Sequence, residues 1–519
     1  LETYNGQSHF FADLHNHCNI SYAHGPLEAA LANARQRLDI CSVTGHAHWP
    51  DMPSRDGKID HIIDFHVEGF AKLERGWKED LEVMQAHDRE EEFIVFPGYE
   101  IHSMDAGDYT LLTSGFDAEI LYPRSIAELR DLLEREPALR ERLLPFPHHI
   151  GYKNGRRGIN WERFSGEVFP LVEIYSMHGC AEEDENDHPF LHTMGPGTGY
   201  GTVRHGLGPM RKKFGLLGNT DHHSAHPGSY GHGFSGIWAP DLKRQSIWNA
   251  LYRRRTYALS ADKMELQFAV NGAPMGAEAV LRRQQEIEFY LRAGGPLDYV
   301  DVIRNGRLFS RFSQLDVPSR MQSAAAEGAG ADGAAAGELR TVIYLEVGWG
   351  ERGKPFQWDV QLGLEQGRIL QVDARFRGDE VVSPLDAAEE PSSYFRSSWR
   401  YADERTVAFT TATSGNPTNS TPATQGVALE AELPSDAVVR CRVNGMEYRV
   451  PVADLLRESF AAYTGGFDSP AFKLHRAPRP EEFIWNGVIT DETAEPAYYY
   501  LRGRQKSGAW VWSSPVWVG

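Results

Sequence analysis

The sequence predicts an α/β domain followed by a mainly antiparallel β-sandwich domain. In the first half, short apolar runs alternate with segments of helical periodicity, the pattern of a largely parallel sheet, open or closed into a barrel. Beyond about Leu259 the pattern becomes period-2 alternation punctuated by Asn-Gly pairs. Twenty of the 21 histidines precede residue 233, and most stand where an apolar run ends.

Taken in order, residues 10–15 (FFADLH) read as a strand, and 26–38 (PLEAALANARQRL) as a helix with apolar residues at helical spacing. Residues 40–44 form a second strand, 59–92 a long charged helical stretch, and 93–100 a third strand. Further strands are expected at 109–113, 143–147, 171–175 and 214–219, with an amphipathic helix over 125–144. In barrels of this class chemistry gathers beyond the C-terminal ends of the strands, where the polar clusters of this half fall. The change of pattern divides the chain into residues 1–260 and residues 261–519. In the second part 285–293, 341–350, 438–450 and 509–519 read as strands, with turns at Asn271-Gly272, Asn305-Gly306, Asn444-Gly445 and Asn486-Gly487. Low-complexity stretches near 323–337 and 410–426 read as disordered loops.

Composition narrows the partners. A hydrophobic content of 41% with 24% charged residues is ordinary for a soluble globular protein. The net charge of −19 argues against nucleic-acid and membrane-surface binding. It leaves room for a small anionic substrate, because bound divalent cations dominate the local field. Cys18, Cys41, Cys180 and Cys441 are scattered, which suggests neither a disulfide framework nor a zinc ribbon. No apolar stretch approaches the length of a membrane span. The chain opens at Leu1 without an export signal, so the cytoplasm is the expected compartment, a removed signal being the other option. The oligomeric state is not indicated.

The chemistry-bearing residues lie at five strand ends. His15 and His17 end FFADLHNH, and residues i and i+2 of a strand share a face, so both imidazoles can reach one ion. His46 ends SVTGH, Glu100 ends VFPGYE, His148 and His149 follow LLPFP, and Asp221, His222 and His223 follow GLLGNT. Singly, each fits a solvated loop residue. Together they form the mixed imidazole–carboxylate set that Zn²⁺, Mn²⁺ and Fe²⁺ use.

The ordered series HxH, TxH, PGxE, PHH and TDxH resembles the PHP (polymerase and histidinol phosphatase) superfamily over about residues 8–260, and more closely its DUF3604 branch. The second likeness continues through RRRTYALSADKMELQFAVNGAPMG, YVDVIRNGRLF and YYYLRGRQKSGAWVWSSPVWVG. The resemblance implies a distorted (β/α)7 PHP-type barrel holding two or three divalent ions (Mn, Fe or Zn), with phosphoester hydrolysis the commonest activity. It also implies that His15, His17, Glu100 and Asp221 form one metal site. Glu100 would bridge to a second ion held by His148 or His149, the DUF3604 pattern favouring His148. His24, His46 and His223 match a third site. The chain departs from the pattern at Gly45, where the family has Asp, and at Asp108, where it has His. Asp108 could then replace the histidine as ligand, a swap that favours a harder metal slightly, or that ion could be missing, and His102 is a third possibility.

In that scheme a metal-bridging hydroxide is the nucleophile and a further imidazole protonates the leaving group. His222, His226, His178 and His48 are the candidates. Glu173 falls on the same rim, as an outer support or a loop residue. The glycine-rich loop 195–213 carries Arg204, His205, Arg211, Lys212 and Lys213 and reads as an anion clamp or a solvated basic loop. The expected function is a metal-dependent hydrolase, a phosphoesterase first. Alternatives are cleavage of a non-phosphate ester, amide or lactone, or non-catalytic binding of a glycan or partner.

Overall fold

The computed structural model describes residues 1–316, 338–379 and 394–519. The first half contains twelve strands: β1 (Ser8–Asp13), β2 (Ile40–Cys41), β3 (Thr44–His48), β4 (Ile94–Val95), β5 (Gly98–Ile101), β6 (Tyr109–Thr113), β7 (Leu143–Pro147), β8 (Leu171–Ser176), β9 (Gly179–Cys180), β10 (Gly215–Gly218), β11 (Phe234–Ala239) and β12 (Thr256–Leu259). Its helices are α1 (Leu27–Arg35), α2 (Asp60–His87), α3 (Ile126–Arg135), α4 (Pro137–Arg140), α5 (Val203–Leu207) and α6 (Arg244–Tyr252). No helix among the described residues is long and apolar enough to cross a membrane.

The closed, mainly parallel barrel is not what forms. Hydrogen bonding gives three open sheets: β4–β2–β1–β11–β12, then β3–β5–β6–β7, and β10–β8–β9. Parallel pairing is confined here to β1–β2, β2–β4, β3–β5 and β8–β10, while β5–β6–β7 and β1–β11–β12 are antiparallel. The breaks have local causes. Pro145 and Pro147 remove two donors from β7, which suits a strand that ends its sheet. At β10 a side chain replaces the ladder: Ser235 Oγ accepts from the Gly218 amide at 3.1 Å and donates to the Gly218 carbonyl at 2.7 Å.

The helices explain two departures from the sequence reading. In α2 the buried Ile63, His66, Gly69, Leu73, Trp77, Leu81 and Met84 recur every three or four residues, the stripe of a helix laid on a sheet. A Cβ at Gly45 of β3 would lie 2.4 Å from Leu73 Cδ1, so a larger residue there, such as the Asp of the PHP pattern, would require the Leu73 side chain to move. The expected helix 125–144 is divided, because Pro137 cannot continue α3 and starts α4 instead.

The boundary expected at 260/261 falls inside a continuous sheet. β12 pairs with Trp510–Ser513, and the sheet runs on through Ala497–Gln505 and Val516–Val518 to eleven strands. One hydrophobic core unites residues such as Phe11, Leu216, Leu266, Val300 and Trp512. A second core, including Ile343, Val360, Leu362, Phe409 and Leu429, lies within a β-sandwich of two five-stranded antiparallel sheets. Each such buried side chain contributes roughly 1.5–3 kcal/mol before ordering entropy is subtracted.

Three of the four Asn-Gly pairs are turns, with Asn271, Asn305 and Asn444 at φ of 54°, 49° and 46°. Asn486-Gly487 is not. It lies inside the strand Ile484–Asp491, paired with Tyr290 and Phe289. The stretch 410–426 is shorter as a loop than its composition suggests: Thr410–Thr413 close one strand, Gln425 and Gly426 open another, and Thr411, Thr413 and Thr424 are buried. The expected loop at 323–337 lies outside the described residues. The sandwich approaches the first half through Arg37 and Asp373 (Nε to Oδ1, 3.0 Å) and through Phe376 and Gly378, which bond to Tyr230 and Ser229.

Candidate metal centre

The ends of β1, β3, β5, β7 and β10 bring the motif residues into one buried cluster. Glu100, on β5, stands at its middle. Its Oε1 is 2.5 Å from His15 Nε2, 3.3 Å from His17 Nε2 and 3.2 Å from His148 Nε2, and its Oε2 is 3.5 Å from His46 Nε2. Asp221 faces the same rings, with Oδ1 3.0 Å from His17 Nε2 and 3.3 Å from His15 Nε2. Asp221 and His149 adopt left-handed backbone, at φ of 52° and 32°, strained for residues other than glycine and typical of functional turns.

Outer partners hold the rings. His17 Nδ1 donates to the Thr44 carbonyl at 2.6 Å, and His223 Nδ1 donates to the Asp221 carbonyl at 2.8 Å. His15 Nδ1 lies 2.8 Å from Glu173 Oε2, His46 Nδ1 2.9 Å from Ser21 Oγ and His148 Nδ1 3.0 Å from Thr110 Oγ1. A ring fixed at Nδ1 offers Nε2 as its free donor, which is how proteins orient metal-binding imidazoles.

Among the described residues, five overlapping groups of three or four donors converge within 4.8 Å: His15, His17, Glu100 and Asp221; His17, His46 and His223; His46, Glu100 and His102; Asp108, His148 and His149; and His149, His178 and Asp221. The donors fit divalent ions. Among the described residues buried His149 Nδ1 lacks a hydrogen-bond partner, and His148 Nε2 has none beyond its 3.2 Å approach to Glu100 Oε1, as donors to an ion would. Burial alone would raise the Glu100 carboxyl, yet the surrounding rings of His148, His17, His46 and His15 hold it well below the carboxylate range. For His15, burial opposes charge, but Asp221, Glu173 and Glu100 outweigh it and favour positive charge at this position. The same field favours a cation.

No family model matches the chain. Three uncharacterized proteins resemble part of it. Those of Chlamydia muridarum and Chlamydia trachomatis are 26% identical over 172 residues, covering 30% of this chain and 28% of theirs. That of Chlamydia pneumoniae is 27% identical over 171 residues, covering 30% and 27%. The chain thus spans little more than a quarter of those relatives' length. Among solved structures, a two-domain protein of Bacteroides vulgatus containing a predicted PHP-like metal-dependent phosphoesterase aligns with a TM-score of 0.30 and 13% identity, over 58% of this chain and 80% of that one.

The remaining expected residues divide. His178 joins the cluster, with Nε2 2.9 Å from Asp221 Oδ2 and Nδ1 2.6 Å from the Tyr152 hydroxyl. Asp108 is claimed by Arg157 and by His102 Nδ1, at 2.8 Å. His24 touches the site through its backbone, donating to the His223 carbonyl, and its ring belongs to none of the five groups. The His222 ring stacks on His232 at 5.4 Å and would meet a Cβ at Gly378, while His226 lines a small cavity with Arg377 and Arg396. His48 Nε2 bonds to the Pro123 carbonyl. The basic loop does not meet the cluster donors. Arg204 pairs with Glu182 and Glu183, His205 rests on Tyr200 at 4.9 Å, and Arg211, Lys212 and Lys213 line a separate cavity. Sequence reasoning missed Arg157, Tyr152, Ser21 and Thr110. None carries a motif, and only the doublet Arg156-Arg157 after the PHH turn hinted at charge near the rim.

Proposed function

We propose that this chain is a metal-dependent hydrolase, and specifically a phosphoesterase acting on a small anionic substrate. The observation that supports it is Glu100, whose two oxygens face His15, His17 and His148 on one side and His46 on the other. In this reading His15, His17, Glu100 and Asp221 would hold one ion, and His46, His148, His149 and His223 would help to hold its neighbours. Bound divalent ions (Mn, Fe or Zn) would supply Lewis acidity and an ionised water.

The chain's own groups do the rest. Burial keeps bulk water from competing with the donors. Glu173 holds His15 in place from behind. His178, between Asp221 Oδ2 and the Tyr152 hydroxyl, carries the proton that the leaving oxygen requires.

The test is metal analysis of purified protein with turnover of p-nitrophenyl phosphate, repeated on Glu100→Gln. Bound metal and phosphate release, both lost in the variant, support the proposal. Metal-loaded protein that cleaves only a carboxylic ester, amide or lactone supports a hydrolase of another bond. Protein that retains no metal rejects both.

A further inference from the structure

The basic loop opens onto a second cavity, of about 590 Å³, within the size range of small-molecule sites. It lies between residues 207–213 and the last strands of the eleven-stranded sheet, and none of its lining residues is a donor of the histidine cluster. Its wall combines Arg211, Lys212 and Lys213 with the aromatic rings of Tyr498 and Trp517.

The charges are not used up internally. Lys213 is offset by Glu278 at 2.9 Å, whereas Lys212 Nζ donates to the Phe164 carbonyl at 2.9 Å and forms no ion pair among the described residues. The Arg211 guanidinium is exposed and makes no hydrogen bond or ion pair among the described residues, and its backbone is held left-handed at a φ of 50°. Tyr498 is 7% exposed, yet its hydroxyl has no partner among the described residues. An unmet buried hydroxyl costs about 1–3 kcal/mol, which an acceptor on a ligand would remove. Gly306 packs closely beside it, where a Cβ would stand 3.2 Å from that oxygen. Arg254 lies over the Trp517 ring at 5.2 Å and fixes its plane.

We propose that this cavity binds a small organic anion with a flat apolar body. Arg211 and the Tyr498 hydroxyl meet its charge, and its body lies against Trp517. The site is independent of the metal centre.

The probe is 1-naphthalenesulfonate, titrated into the full chain and followed by tryptophan fluorescence and calorimetry, with neutral 1-naphthol as the uncharged counterpart. Saturable one-to-one binding is expected, about tenfold tighter than for 1-naphthol, and weakened about fivefold by Arg211→Ala and by Tyr498→Phe. Neither change removes a hydrogen bond among the described residues, so neither should lower the unfolding temperature, and Tyr498→Phe, which deletes the unmet hydroxyl, should raise it. Glu100→Gln and chelator treatment should leave binding intact. Absence of saturable binding, unchanged affinity in both cavity variants, or loss of binding with the metal centre overturns the proposal.

Discussion

Arg157 donates to Asp108 through both Nε and Nη2, at the position where the PHP pattern has a histidine. The arginine lies over Trp49, with its guanidinium carbon 5.1 Å from the ring, and Asp108 is fully buried. The carboxylate that would replace a histidine ligand is therefore already occupied by a cation of the chain itself.

Arg157→Ala leaves the Asp108 carboxylate buried beside His148 and His149 with no strong counter-charge. Breaking such a pair is expected to cost about 3 kcal/mol in metal-free protein. Asp108 forms a donor group with those two histidines, so added Mn²⁺ should raise the unfolding temperature of the variant more than that of the unaltered chain. Calorimetric scans with and without metal measure both effects, and equal shifts would show that the freed carboxylate does not reach an ion.

Glu173 separates orientation from coordination. Its Oε2 is 2.8 Å from His15 Nδ1 and also accepts from Asn219 Nδ2 at 3.0 Å, but it belongs to none of the five donor groups. Glu173→Gln keeps the shape and removes the charge that steadies His15. Metal affinity, measured by chelator competition, should fall about 10–100-fold with the number of bound ions at saturation unchanged. A lost ion would instead make Glu173 a ligand.

Tyr152 separates proton handling from metal binding in the same way. Its hydroxyl touches the outer nitrogen of His178, so Tyr152→Phe should lower kcat about tenfold and shift the alkaline limb of its pH profile, with metal content intact. If kcat falls only in step with metal loss, His178 serves as a ligand rather than a proton donor.

These contrasts show where the sequence was informative. Apolar runs ending in His or an acid marked β1, β3, β5, β7 and β10 because burial and strand propensity act locally, and the same runs delivered His15, His17, Glu100 and Asp221 to one place. Sheet closure was not legible: it depends on whether neighbouring sheets meet, as β7 with β8 and β10 with β11, and Pro145, Pro147 and the Ser235 hydroxyl stand at those breaks. Nor did composition reveal the basic loop's direction, since Arg211 would read alike beside the metals or at a distant cavity. Asn486-Gly487 has the composition of a turn, but pairing with Tyr290 and Phe289 overrides that local preference.

Asp373 supplies a pH-dependent tie between the sandwich and the first half. Burial alone would raise its carboxyl, but Arg37, Arg375 and Lys263 outweigh that and bring it down to about 2 from 3.8. A carboxyl depressed in the folded state adds stability above its unfolded value, and that contribution disappears as pH falls through the folded value. The contribution is about 2 kcal/mol, present above pH 4 and lost between about pH 4 and 2. Asp262 and Asp39 face the same cations and moderate the effect, because Arg375 also bonds to Asp262 and Lys263 is attracted by Asp39. Urea unfolding of the unaltered chain and of Asp373→Asn, followed from pH 6 to pH 2, reads this directly. The stability gap between the two should hold constant down to about pH 4 and then narrow by about 2 kcal/mol. A gap that stays constant to pH 2 would mean that Asp373 contributes by packing and hydrogen bonding alone, not by its charge.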